Sequence, residues 1–220
     1  MTEKEIHKIC NKYEIIDYYI NNDMSVDVND DIINFTGTIL RKIPLNFNKV
    51  TGDFLINSSS FVSLNGSPKE CNRFNCSNNN LTSLKGCPEI VNEFECNFNE
   101  IQSLENGPKI VKEVFSIGYN SNIKSLKGAP KEVQILDCSR CDLRTFEYFP
   151  KIKYLSMNDN PLSELWHLFD NVNYIEYFNE LDIIIDDGET VILDRLNYFL
   201  QDIGKEEITA DKIKNYKVVK

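Results

Sequence analysis

Residues 74–104 read FNCSNNNLTSLKGCPEIVNEFECNFNEIQSL, one phrase stated twice. FNCSNNNLTSL at 74–84 and FECNFNEIQSL at 94–104 both fit L-x-L-x-x-N/C-x-L-x-x-L, where L is any apolar side chain. Outward from this pair, LDCSRCDLRTF at 136–146 and LSMNDNPLSEL at 155–165 fit as well. INFTGTILRKI at 33–43 and FLINSSSFVSL at 54–64 fit with the polar position weakened, and FSIGYNSNIKSL at 115–126 fits with one extra residue after Asn120. Seven units therefore begin at 33, 54, 74, 94, 115, 136 and 155, and prolines at 68, 88, 108, 130 and 150 keep the same beat.

In each unit the first two apolar positions are two apart, the period of a strand with one buried face. One such unit cannot bury its few apolar side chains alone; stacking units makes a continuous core and a parallel sheet. Seven strands at roughly 4.8 Å spacing predict a sheet roughly 29 Å long. The polar position holds Asn79, Asn99, Asn120 and Asn160, with Cys141 in one unit. An inward Asn there can satisfy backbone groups of the bent loop that have no ladder partner. Gly66, Gly86, Gly107 and Gly128 lie just ahead of the prolines and fit the turn out of each unit.

The pattern resembles that of leucine-rich-repeat proteins over roughly residues 33–165. The short units, with proline soon after the last apolar residue, resemble the compact bacterial type. The wording is closer still to short phage-encoded leucine-rich-repeat proteins, which repeat LTSLxGCPxxVxxFxCxxN; LTSLKGCPEIVNEFECNFN stands at 81–99. KIPLNFNKVTGDF at 42–54 matches a second phrase of that group, KxPLNFxxVxGxF. The resemblance implies an α/β leucine-rich-repeat solenoid of about seven short repeats and a parallel sheet. It also implies an N-terminal helix and hairpin and a helical C-terminal segment. It implies no single activity.

A solenoid has open ends that need covering. Three parts are expected: an N-terminal cap over 1–32, the solenoid over 33–165 and a helical C-terminal cap over 166–220. Residues 2–13 read as an amphipathic helix with Ile6, Cys10 and Tyr13 on one stripe, and 15–28 as a hairpin turning at NNDMS. Residues 190–203 show Ile192, Leu196, Phe199 and Ile203 at helical spacing, with Trp166, Leu168 and Phe169 expected to pack under them. The basic tail 209–220 reads either as a last short helix or as a frayed end.

The 220 residues are 41% hydrophobic and 26% charged, which excludes wholesale disorder. No apolar run approaches the ~20 residues of a membrane helix. MTEKEIHKIC is too charged for a signal peptide, so a soluble, cytoplasmic protein is expected. The 24 Lys and Arg against 34 Asp and Glu leave a net charge of −10. There is no basic excess to displace counterions from a nucleic acid, whereas a basic protein partner fits.

The seven cysteines invite a metal reading through Cys138-x-x-Cys141 with Cys71 and Cys76 nearby. Cys138 and Cys141 both occupy inward repeat positions and no second pair of matching spacing exists, so no metal and no cofactor are expected. Cys76, Cys96 and Cys138 read as small apolar core residues. His7 and His167, the only histidines, fall in opposite end segments, which excludes a histidine-based triad within one chain. Asp186-Asp187-Gly188 reads as an acidic turn. No phosphate-binding loop, nucleophile elbow or dinucleotide fingerprint appears. Some bacterial effectors with similar repeats carry a large ubiquitin-ligase domain with a catalytic cysteine; the residues after 165 contain no cysteine. An enzyme is not expected.

What remains is the exposed sheet face. If one set of strand positions points inward, its neighbours point out. Those neighbours include Arg73, Glu93, Glu95 and Asp137, and beside them Phe98, Tyr119, Arg140, Tyr154 and Asp159. Aromatics and Arg are the residue types of interface hot spots, and carboxylates steer a basic partner. These residues are the candidate partner-binding set. The expected function is a non-enzymatic protein-protein interaction module, on the phage resemblance an accessory or anti-defence protein. Two alternatives are a virion or assembly component that self-associates through its ends, and an acidic decoy of a nucleic-acid-binding host protein.

Overall fold

The structure is a computed structural model describing residues 1–220. Helix α1 (Glu3–Lys12) starts at a capping box: Thr2 donates its backbone N–H to Glu5 Oε2 at 2.7 Å, and its hydroxyl oxygen accepts from Glu5 N–H at 3.4 Å. Ile6 and Cys10 are buried, and the half-buried Tyr13 stands edge-on to Phe35, 4.9 Å between ring centres. Strands β1 (Tyr18–Ile20) and β2 (Val26–Val28) pair antiparallel around the turn at 21–25, as the sequence predicts.

The repeats form a parallel-sheet β-solenoid. Its strands are β3 (Ile32–Asn34), β4 (Phe47–Val50), β5 (Asp53–Leu55), β6 (Glu70–Asn75), β7 (Ile90–Glu95), β8 (Ile110–Ser116), β9 (Ile135–Asp137) and β10 (Tyr154–Ser156). The first apolar residue of every unit falls in one register: Ile33, Phe54, Phe74, Phe94, Phe115, Leu136 and Leu155. Seven rungs thus enclose about six turns. Inside, Phe54, Phe74, Phe94 and Phe115 repeat at 5.7 Å, and none is exposed. Each buried Phe contributes about 1.5–3 kcal/mol from transfer out of water, and each ring pair about 0.5–1.5 kcal/mol more.

The sheet is larger than seven single strands. It has ten, because the β1–β2 hairpin joins β6 through β4, a second ladder that the sequence reading does not contain. Val26 registers with Phe47, Lys49 with Glu70, and then Cys71 with Val91 and Val111. The sheet therefore forks at β6: β3 and β5 lead into its second half, β2 and β4 into its first. A register shift between Val91 and Glu93 absorbs the extra residue of β8.

The inward asparagines form a polar spine. Asn99 Oδ1 accepts from Leu81 N–H at 3.0 Å, while its Nδ2 donates to the Cys76 carbonyl at 3.0 Å and the Cys96 carbonyl at 3.3 Å. Asn79, Asn120 and Asn160 repeat the arrangement on Phe61, Ile101 and Leu143. Cys141 keeps half of it, donating to the Ile117 carbonyl at 3.5 Å. A thiol is a poor acceptor for the N–H of Ile123. That N–H instead donates to the Asn120 carbonyl at 3.0 Å, within the unit that carries the extra residue. The insertion after Asn120 and the replacement of Asn by Cys141 thus compensate one another.

Beyond the last rung lie α2 (Ser163–Phe169), α3 (Ile175–Glu180), β11 (Ile184–Ile185), β12 (Thr190–Ile192), α4 (Leu193–Asp202) and β13 (Lys217–Val219). Two expectations are corrected. The helix expected over 190–203 starts only at Leu193, because 190–192 is a strand between β11 and β13. The tail holds a strand at 217–219, preceded by one short helical turn at 210–212. Phe146 sits edge-on to Phe149, Phe169 and Phe178, and Phe169 meets Phe199 of α4 at 5.3 Å. The tail is tied back where Glu164 accepts from the backbone N–H groups of Lys214 and Asn215. One core of 50 buried residues runs from Ile6 to Tyr216. No helix is long and apolar enough to cross a membrane.

Candidate functional site: the exposed face of the sheet

After each strand the chain sends one more apolar residue inward and must then turn to bring the spine residue in. The turn places the residue between them in the left-handed region. Gly37, Ser58, Asn78, Phe98, Tyr119, Arg140 and Asp159 occupy this position, with φ from 50° to 69°. Glycine adopts it freely and Asn or Asp at small cost, whereas other L-residues lose about 1–2 kcal/mol. Phe98, Tyr119 and Arg140, the residues least suited to it, stand on three successive rungs.

Their side chains form a ladder outside the protein. The rings of Phe98 and Tyr119 stack 3.9 Å apart at 21°. The Arg140 guanidinium lies 5.0 Å from the Tyr119 ring centre, and its Nε is 2.9 Å from Asp159 Oδ2. Phe98 and Tyr119 remain 51% and 41% exposed, so burial offsets the backbone strain only in part. Rigid N–H donations to the next rung fix the ladder: Phe98 to the Gly118 carbonyl, Tyr119 to that of Ser139 and Arg140 to that of Asn158, at 2.8–3.0 Å.

A second group gathers on the strands. Arg73 reaches Glu95 Oε1 at 2.5 Å through Nη2, and Glu93 Oε2 lies 3.5 Å from its Nε. Asn75 Nδ2 donates to the other Glu95 oxygen at 2.9 Å. On an exposed face such a network is worth about 0–1 kcal/mol per pair and mainly fixes side-chain positions.

On the strand of the following rungs, Asp137 accepts from Ser139 N–H at 3.1 Å, and the Ser116 hydroxyl lies 3.2 Å from its other oxygen. Gly118 leaves a notch here: a Cβ would lie 3.1–3.4 Å from the Ser139 carbonyl, Asp137 Oδ2 and Asn97 Oδ1. Tyr154, 68% exposed, registers with Ile135 and through it with Val114, an apolar strip along the edge of the face.

The nine candidate residues therefore fall into two clusters, Arg73–Glu93–Glu95 and Phe98–Tyr119–Arg140–Asp159, with Asp137 in a polar network and Tyr154 at the far end. The candidate set omits Ile135, 39% exposed beside Tyr154; its place in the column ahead of each unit was the available signal.

Burial raises the thiols of Cys71, Cys76 and Cys138 well above the ordinary range, and those of Cys87 and Cys141 to about 12. No three His, Cys, Asp or Glu side chains converge as metal ligands would. His7 Nδ1 contacts the Tyr18 hydroxyl at 2.5 Å, while His167 is exposed on α2.

An open cleft of about 820 Å³ runs between residues 146–152 and residues 172–180, which include the whole length of α3. At its mouth Tyr148, with φ 60°, takes the turn position that Gly66, Gly86, Asn106 and Gly128 hold in the other units.

The chain matches no known protein family, no characterised protein and no solved structure.

Proposed function

We propose that this protein is a leucine-rich-repeat protein that acts without catalysis, binding a protein partner through the concave, exposed face of its sheet. The observation that carries this reading is the Phe98–Tyr119–Arg140 ladder. Three side chains poorly suited to left-handed backbone stand there together, mutually stacked and open to solvent. Strain that local packing repays only in part points to a role outside the fold. A preformed face binds with little ordering cost, and its aromatic and arginine anchors are the groups that dominate interface energetics.

The end segments 1–32 and 166–220 act as caps in this reading, and the solenoid 33–165 carries the face. The wording shared with short phage-encoded leucine-rich-repeat proteins favours an accessory protein that engages a host or viral protein in the host cytoplasm, as in blocking a defence component. The experiment is affinity capture from infected-cell lysate, followed by purification of the partner and measurement of its affinity. A triple variant Glu95→Ala, Tyr119→Ala, Asp137→Ala that keeps its melting temperature should bind the partner at least tenfold more weakly. Equal affinity would remove the face from the mechanism.

A further inference from the structure

The exterior ladder is covered unevenly along its length. Tyr119 has a neighbour over each ring face, Phe98 at 3.9 Å on one side and the Arg140 guanidinium at 5.0 Å on the other. Phe98 has such a neighbour only towards Tyr119. On its other side the column continues through Asn78, Ser58 and Gly37, all short and exposed. Asn78 turns its amide away from the ring, its Nδ2 donating to Ser58 Oγ at 3.4 Å. Half of Phe98 is accordingly open to solvent.

The chain itself displays a group that this geometry accepts. One rung beyond an aromatic residue of the column, the guanidinium carbon of Arg140 stands over the Tyr119 ring, 5.0 Å from its centre. The charge of the face favours another cation. Asp53, Glu93, Glu95, Asp137 and Asp159 stand against Arg73 and Arg140, and both arginines already hold carboxylates. A planar guanidinium covers a ring more completely than a compact, strongly hydrated ammonium does.

We propose that the outer face of Phe98 receives the guanidinium of an arginine on the protein partner, extending the ladder by one rung. The inference rests on the partner-binding reading of the exposed face and specifies one contact within it.

The test is an NMR titration of the full chain with the peptide Gly-Gly-Arg-Gly-Gly, and with Gly-Gly-Lys-Gly-Gly as comparison. The ring signals of Phe98 and Tyr119 and the backbone amides of the face are followed together. The arginine peptide should shift the Phe98 ring and bind about two- to five-fold more tightly than the lysine peptide, the scale of an exposed cation–π contact. Phe98→Leu should abolish the preference. Asn78→Arg, which supplies a guanidinium from within the chain, should weaken the arginine peptide by a similar factor.

Equal binding of the two peptides, an unmoved Phe98 ring, or indifference to both substitutions would overturn the proposal. Shifts confined to the amides of Glu93, Glu95 and Asp137 would overturn it too while leaving the face as a binding surface. The face itself fails separately, through undiminished partner binding by the Glu95, Tyr119 and Asp137 variant.

Discussion

Two aromatic ladders run along this solenoid, one inside and one outside. The inner ladder of Phe54, Phe74, Phe94 and Phe115 sits in strand backbone, fully buried, with rings 5.7 Å apart. The outer pair, Phe98 and Tyr119, sits in left-handed backbone, about half exposed, with rings 3.9 Å apart. The same stacking serves different ends. Inside, ring contact adds to burial that already stabilises the fold; outside, it only partly offsets the conformational cost of the position. The first ladder is what folding requires. The second is a surface that folding tolerates, and such surfaces are where function is sought.

Alkali should act most drastically on the inside, because a thiol buried beneath the inner ladder cannot ionise without losing its apolar surroundings. The folded chain holds the protons of its buried thiols more tightly than the unfolded chain does, with Cys141 at about 12 against an ordinary 9.0. Stability contributed by these thiols is therefore fully present below pH 9.0 and is lost as pH rises towards 12. Chemical denaturation at stepped pH should show a midpoint that falls steadily across that window. A constant midpoint to its upper end would mean the thiols are not buried as described.

Next in size is Phe74→Ala, which opens a cavity in the inner ladder and should cost about 3–5 kcal/mol in urea unfolding. A loss under 1 kcal/mol would mean that the rungs repack freely.

Asn99→Ala tests the spine between the two ladders. It removes the acceptor for Leu81 N–H and the donor to the Cys76 carbonyl, at an expected cost of about 1–3 kcal/mol. Preserved amide-exchange protection at Leu81 would contradict that role.

Smallest should be Phe98→Asn, where relief of left-handed strain of about 1–2 kcal/mol opposes the loss of a stacked pair worth about 0.5–1.5 kcal/mol. Its melting temperature should stay within a few degrees of the parent or rise, while partner affinity drops. A strong destabilisation would make the outer ladder structural.

The inner ladder was legible in the sequence because apolar residues two apart, repeated every twenty or so, admit one register. The spine was legible for a similar reason: an inward Asn in a bent loop has backbone groups to satisfy. The second sheet ladder was not. Its buried residues, Val50, Cys71, Val91 and Val111, stand three or four positions ahead of the phenylalanine column, and the register shift at β7 and β8 blurs any single offset.

At the C-terminus, Ile192 fits the helical stripe of Leu196 and Phe199 yet belongs to a strand, because its partners, Ile183 and Val219, are distant in sequence. The exposure of the candidate site followed from strand alternation, but its strain did not. Gly37, Asn78 and Asp159 hinted at left-handed backbone in that column, while Phe98, Tyr119 and Arg140 argued against it by type.

The spine also bears on how such a molecule changes in length. Each asparagine reaches only its own loop and the loop before it, so a tandem duplication of residues 74–93 would splice into the rod without leaving an orphaned amide. The unit that contains Asn120 is less free. Its added residue and Cys141 answer each other across a rung boundary. Inheritance would therefore be expected to copy, shuffle or lose those two neighbours as a linked pair.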